Sequence, residues 1–130
     1  MSEYLGAVGI GVSDLNRSVK FYTEVLGLTA LQTINLKHMN EVVMGFKGTR
    51  SASVVLMNFI DDSNPNYLNN PVKLVFYKED AKATISAIGA AGYDIVSEPT
   101  PYESMGNALI GFGKDPDGYL IEIIQKPNKK

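Results

Sequence analysis

The chain repeats itself at an offset of 66 residues. Met44-Gly45-Phe46 recurs as Ile110-Gly111-Phe112, and Asp14, at the head of an amphipathic stretch, recurs as Asp80. That stretch closes in Leu26-Gly27-Leu28 in the first copy and in Ala91-Gly92-Tyr93 in the second. Self-similarity at one offset marks a duplicated structural unit. Two copies are too few for a solenoid, so the expectation is two modules paired around a pseudo-twofold axis. Residues one offset apart should then occupy equivalent places.

The elements of each copy follow from side-chain periodicity. Val8, Ile10 and Val12 alternate with Ala7, Gly9 and Gly11, as in a buried strand. Ser13 and Asp14 suit a helix N-cap, and Leu15, Val19, Tyr22, Val25 and Leu26 follow at helical spacing up to Gly27, which fits the left-handed position past a helix end. Strand-like runs cover Thr29–Lys37, Glu41–Lys47 and Ala52–Phe59, with Met39-Asn40 read as the turn between the first two. The stretch Asp61–Asn70, rich in Asp, Asn, Ser and Pro, reads as the connector. The order then recurs: strand Val72–Lys78, helix Asp80–Ala91 ended by Gly92, and strands Asp94–Ser97, Ala108–Gly113 and Tyr119–Gln125. Asp115-Pro116-Asp117-Gly118 is the turn before the last strand. Each copy is βαβββ, and neither can bury its sheet alone, so one α+β domain of two repeats (about 5–60 and 71–126) is expected.

Composition narrows the partners. A length of 130 residues suits one domain, and a net charge of −2 with pI near 5.3 argues against a nucleic-acid groove or an anionic membrane surface. The clustered lysines, Lys126, Lys129 and Lys130, read as a solvated tail. There is no cysteine, which excludes disulfides, thiolate metal sites and cysteine nucleophiles. No signal-peptide pattern or membrane-length apolar run is present, so a cytoplasmic protein is expected. Gly9 and Gly11 lack the further glycine that a dinucleotide fingerprint requires.

Gly-Val-Ser-Asp-Leu-Asn-Arg-Ser-Val-Lys-Phe-Tyr (11–22) and Asp-Pro-Asp-Gly-Tyr-Leu-Ile-Glu (115–122), in this βαβββ order, resemble the vicinal oxygen chelate superfamily. It includes glyoxalase I, extradiol dioxygenases and bleomycin resistance proteins. The resemblance implies two paired modules forming a curled mixed sheet with a U-shaped cleft, often with halves paired across a homodimer interface. It also implies a divalent metal held by His, Glu, His and Glu. Carried over position by position, those ligands fall on Ala7, Leu56, Lys73 and Glu122. One carboxylate does not hold a catalytic metal, which normally needs about three protein ligands. The metal site is therefore expected to be lost, with no cofactor. His38, the single histidine, sits beside the hairpin turn and reads as a solvated turn residue.

Strand alternation assigns Ala7, Gly9, Leu56, Asn58, Lys73, Val75, Tyr77, Leu120, Glu122 and Ile124 to the cleft, and Val8, Ile10, Val12, Leu74, Phe76, Ile121 and Ile123 to the helix side. An apolar lining with few polar groups suits a small molecule. Lys73, Glu122 and Tyr77 are the candidate catalytic groups, with Lys73 in the metal's cationic role. A purely structural Lys73–Glu122 ion pair is the competing explanation. Two functions are expected from this. The first is a metal-free binding protein that sequesters a small, partly apolar ligand, as bleomycin resistance proteins do. The alternative is a metal-independent lyase or isomerase acting beside a carbonyl, with Lys73 replacing the metal. On the donor set a metal-dependent glyoxalase is excluded. No nucleic-acid or membrane partner is expected.

Overall fold

The computed structural model describes residues 2–127, so Lys129 and Lys130 of the expected basic tail lie outside the described residues. Two compact units divide the chain, Met1–Tyr67 and Leu68–Lys130. Each is βαβββ with a four-stranded mixed sheet, which makes the chain α+β.

The first unit runs β1 (Ala7–Gly11), α1 (Leu15–Lys20), β2 (Thr29–Asn35), β3 (Met39–Gly45) and β4 (Ser53–Phe59). Its sheet order is β1-β4-β3-β2, with β1 parallel to β4 and the other pairs antiparallel. The Asp14 carboxylate accepts the Arg17 N–H at 3.1 Å, an N-cap that contributes about 1 kcal/mol. Helix α1 continues into a π-helical turn, Phe21–Val25, in which the Leu26 N–H donates to the Phe21 carbonyl five residues back. Phe21, Tyr22 and Leu26 are all buried there, and Gly27 leaves at φ 80°. Ile10, Val12, Val42, Met44, Val54 and Leu56 complete this core. Burying each such side chain is worth about 1.5–3 kcal/mol.

The second unit runs β5 (Lys73–Tyr77), α2 (Ala81–Ala90), β6 (Ile95–Tyr102), β7 (Ala108–Lys114) and β8 (Leu120–Gln125), in sheet order β5-β8-β7-β6. Asp80 caps α2 by accepting the Ala83 N–H at 3.0 Å, the counterpart of Asp14. Ala81, Thr84, Ile85 and Ile88 form the buried stripe of α2. The helix lies so close to the sheet that a Cβ on Gly111 would stand 2.9 Å from Ile85, and one on Gly113 would stand 2.8 Å from Ile88. Among the described residues no helix is long and apolar enough to cross a membrane.

Two local expectations are corrected. The hairpin turn lies at Lys37-His38, not Met39-Asn40: the Leu36 N–H donates to the Met39 carbonyl at 2.8 Å and Asn35 pairs with Asn40. His38 is exposed at the tip. The strand expected to stop at Ser97 runs to Tyr102 through Pro99 and Pro101. It is an edge strand with two register shifts, where a missing N–H is tolerated.

Candidate functional site

The turn after β7 sets the register of the second sheet. The Asp115 carboxylate accepts the N–H groups of Asp117 and Tyr119, both at 2.9 Å, and the Asp115 N–H donates to the Tyr119 carbonyl at 3.0 Å. Gly118 takes the left-handed conformation at φ 89°. With the turn closed in this way, Lys114 stands opposite Leu120 and Phe112 opposite Glu122. On the other side of β8, the parallel pairing places Lys73 opposite Leu120 and Val75 opposite Glu122.

The sheet face opposite α2 therefore carries three rows of side chains. Lys73, Leu120 and Lys114 make the first, Val75, Glu122 and Phe112 the second, and Tyr77, Ile124 and Ile110 the third. The Lys73 ammonium reaches diagonally to the Glu122 carboxylate, with Nζ 2.9 Å from Oε1. The pair is asymmetric: the lysine side chain is 51% exposed and the glutamate only 10%. Glu122 thus accepts from the Lys73 ammonium while standing between the apolar cross-strand neighbours Val75 and Phe112. Ala108, Ile110 and Ile124 form a buried apolar cluster beside it, against which Phe112 packs.

Tyr77 is 59% exposed and its ring lies 5.0 Å from the Lys126 ammonium. Lys78, next in sequence, lines a groove with Tyr77, Glu79 and Gln125. Burial holds its amine below the usual lysine range. In the connector, hydrogen bonds from the Ser63 side chain and backbone hold the Asp61 carboxyl below its ordinary value.

Of the expected site residues, Lys73, Val75, Tyr77, Leu120, Glu122 and Ile124 share this face. Ala7 and Gly9 belong to the sheet of the first unit, on the face away from α1. The room above Gly9 is filled, since a Cβ there would stand 2.9 Å from the Met57 sulfur. Leu56 and Asn58 do not line a ligand face. Parallel pairing sets Leu56 beside Ile10, so it points into the helix-side core and is fully buried. Asn58 shares that side, and its amide donates to the Val12 carbonyl at 2.8 Å and the Ser13 carbonyl at 3.3 Å, closing the strand-to-helix turn.

The counterpart of Glu122 in the first sheet is Val55, which stands opposite Gly9 as Glu122 stands opposite Val75. The offset there is 67, one more than between Ala7 and Lys73. Gly45 and Gly111 are not equivalent either. Gly45 faces Leu31 and Ser53, whereas Gly111 faces Ile85 on the helix side. Lys114 and Phe112 are site residues that strand alternation alone did not supply. Counting back from the Asp115–Gly118 turn would have placed both opposite β8.

The donor set does not fit the divalent metal that the superfamily resemblance implies. Ala7 and Val55 carry no donor atom, Lys73 presents a cation, and Glu122 is ion-paired. Among the described residues no group of three or more His, Cys, Asp or Glu could hold a metal ion. No step is therefore assigned to one.

A model of the Glyoxalase/Bleomycin resistance protein/Dioxygenase superfamily matches residues 4–123. A probable lactoylglutathione lyase of Vibrio parahaemolyticus is 34% identical over 88% of this chain and 84% of its own length. The lactoylglutathione lyase of Haemophilus influenzae is 30% identical over 92% and 90%. Among solved structures, glyoxalase I from Zea mays superposes with a TM-score of 0.77 at 26% identity, covering 93% of this chain. The chain spans 44% of that maize protein.

These similarities overturn the reading of the chain as a metal-free protein that sequesters a small, partly apolar ligand. With it goes the alternative in which Lys73 stands in for a metal, and the donor set alone no longer sets the chain apart from the glyoxalases, whose name its relatives carry. The relatives are named as lyases of lactoylglutathione, and of the expected functions only the lyase class is kept. The mismatch at the metal-ligand positions is a property of three residues, whereas the similarity runs through nearly the whole chain.

Proposed function

Because the chain belongs to the glyoxalase/bleomycin resistance protein/dioxygenase superfamily, we propose that it is a lyase of the lactoylglutathione lyase kind, acting on a glutathione thioester. The observation that carries this reading is the 34% identity to a probable lactoylglutathione lyase over 88% of the chain. The second sheet supports it. Interconversion of a lactoyl thioester with glutathione and a 2-oxoaldehyde moves a proton between the carbinol carbon and the acyl carbon and makes or breaks the C–S bond, so the chemistry needs a group to take up and return that proton. Glu122 is a nearly buried carboxylate on an apolar face, the kind of group that contributes about 10²–10⁴-fold by general acid–base catalysis. Lys73 acts as a positioning residue that holds the carboxylate in one orientation. Val75, Leu120 and Ile124 supply the apolar lining, with Tyr77 at its exposed end.

The reading includes a small-molecule substrate, the two βαβββ units working as one domain, and a homodimer in the cytoplasm. Sedimentation equilibrium tests the dimer. The activity is tested by following the rise of thioester absorbance when methylglyoxal and glutathione are mixed with wild-type protein and with Glu122→Gln, the direction in which the equilibrium runs. Formation by the wild type that falls at least about a hundredfold in the variant supports the proposal. Wild-type formation no faster than without protein, or an unaffected variant, refutes it.

A further inference from the structure

Where β5 ends, the chain leaves the sheet with an amine at the border of the site. The Lys78 N–H donates to the Ile124 carbonyl at 2.9 Å, which carries the β5–β8 pairing one residue past Tyr77. A groove of about 470 Å³ lies there between Tyr77, Lys78, Glu79, Ile124, Gln125 and Lys126. Tyr77 and Ile124 also belong to the third row of the site face, so the groove and the site share a wall. Gln125 is held in place, because its side-chain oxygen accepts the Ala81 N–H at 2.9 Å at the start of α2.

Two other charged groups line the groove. Glu79 is exposed, and the Lys126 ammonium lies 5.0 Å from the centre of the Tyr77 ring. Lys78 is half-buried and has interactions of its own, and burial still holds its amine below the ordinary lysine range. A desolvated lysine keeps more of its amine neutral at a given pH, and the neutral amine is the nucleophile. The lyase reading puts a thioester, which is an activated acyl group, on the face that Tyr77 and Ile124 border.

We propose that Lys78 is an acyl-acceptor site, at which the lactoyl group of a thioester is transferred to the protein. The neutral Nζ attacks the thioester carbonyl carbon, a C–N bond forms, the C–S bond breaks, and sulfur leaves with the electron pair. The proton given up by Nζ ends on the thiolate. Amine and thioester thus become amide and thiol, with no oxidant and no further reactant. The product suits the fold, since burial disfavours an ammonium and the amide has no charge to bury. Each event makes the formal net charge of −2 more negative by one unit. The inference goes beyond the lyase reading and rests on it only for the identity of the acyl donor.

The test incubates the folded protein with S-lactoylglutathione at mildly alkaline pH and follows lactoyl-lysine peptide by peptide by mass spectrometry. Lys82, on the exposed side of α2, is the internal reference. The expected result is that Lys78 acquires the lactoyl group several-fold faster than Lys82. In guanidinium chloride, where burial is lost, the preference should fall to near unity, a comparison that needs no variant to fold. Lys78→Arg should remove the fast site and leave labelling of Lys82 unchanged. Labelling of Lys78 no faster than of Lys82, or a preference that persists in the unfolded chain, overturns the proposal. Because the thioester is supplied, failure of the protein to form it from methylglyoxal and glutathione refutes the lyase reading alone. Formation of the thioester with Lys78 left unlabelled refutes this inference alone.

Discussion

Removing the exposed partner of the Lys73–Glu122 pair should cost more than removing the buried one. The two side chains lie 2.9 Å apart, with the lysine 51% exposed and the glutamate 10%. In Glu122→Gln the shape is kept and the charge lost, leaving an ammonium that is already half in water. The ammonium left behind keeps most of its hydration, so what is lost is close to that of a solvent-screened pair, under about 1 kcal/mol. In Lys73→Met the stem is kept and the ammonium lost, leaving a carboxylate with little access to water between Val75 and Phe112. Leaving a fully buried charge unpaired costs about 3–5 kcal/mol, and the exposure of the lysine reduces this to roughly 1–3 kcal/mol. For a chain of this size those losses translate to a melting temperature lowered by roughly 3–10 °C for Lys73→Met and by less than about 4 °C for Glu122→Gln. Thermal and urea denaturation of both variants at pH 7 measures the difference. The double variant should recover most of the Lys73→Met loss, because it removes the stranded charge. If Glu122→Gln is as destabilising as Lys73→Met, the carboxylate is not in a desolvated position and the argument for its chemical role fails with it.

Other outcomes follow from single contacts. Ser18 is fully buried and its hydroxyl has no hydrogen-bond partner among the described residues, so Ser18→Ala should raise stability by about 1 kcal/mol in urea melts; a loss would show that the hydroxyl is in fact satisfied. Gly111→Ala should destabilise by about 1–3 kcal/mol, since the new methyl would meet Ile85 at 2.9 Å and the Pro99 backbone nitrogen at 3.1 Å. Burial lowers the Lys78 pKa, so the unfolded chain binds the proton more tightly and folding is penalised below the folded-state value. Stability should accordingly rise with pH towards the usual lysine value of 10.5, and Lys78→Met should flatten that part of the profile; an unchanged slope would assign it to other groups. Asn58→Ala should lower the melting temperature by loosening the β1–α1 turn, while leaving thioester formation intact.

Local chemistry was legible in the chain from the start. The caps at Asp14 and Asp80, the left-handed glycines at Gly27 and Gly92, and the helix-side stripes of both sheets depend on a few neighbouring residues. Each stands in the fold where periodicity put it, except that Val8 at the start of the first stripe is 42% exposed. The α+β class followed from the order of those elements, and the superfamily from two motifs that fix local geometry. Lys73 and Glu122 were also within reach, because each lies on a strand whose alternation is unambiguous and close to a recognisable turn or connector.

What the sequence did not determine is everything that depends on register between distant strands. A one-residue difference in the offset exchanges the two faces of a strand. The constant offset of 66 therefore sent Leu56 to the ligand face, while the parallel pairing with β1 buries it beside Ile10 and makes Val55 the counterpart of Glu122. The same non-local pairing turned Asn58 into a turn-closing residue and let Met57 fill the space above Gly9. It also brought Lys114 into one row with Lys73 across Leu120. The periodicity of a strand names two faces. Only tertiary pairing decides which of them meets the helix and which meets a ligand.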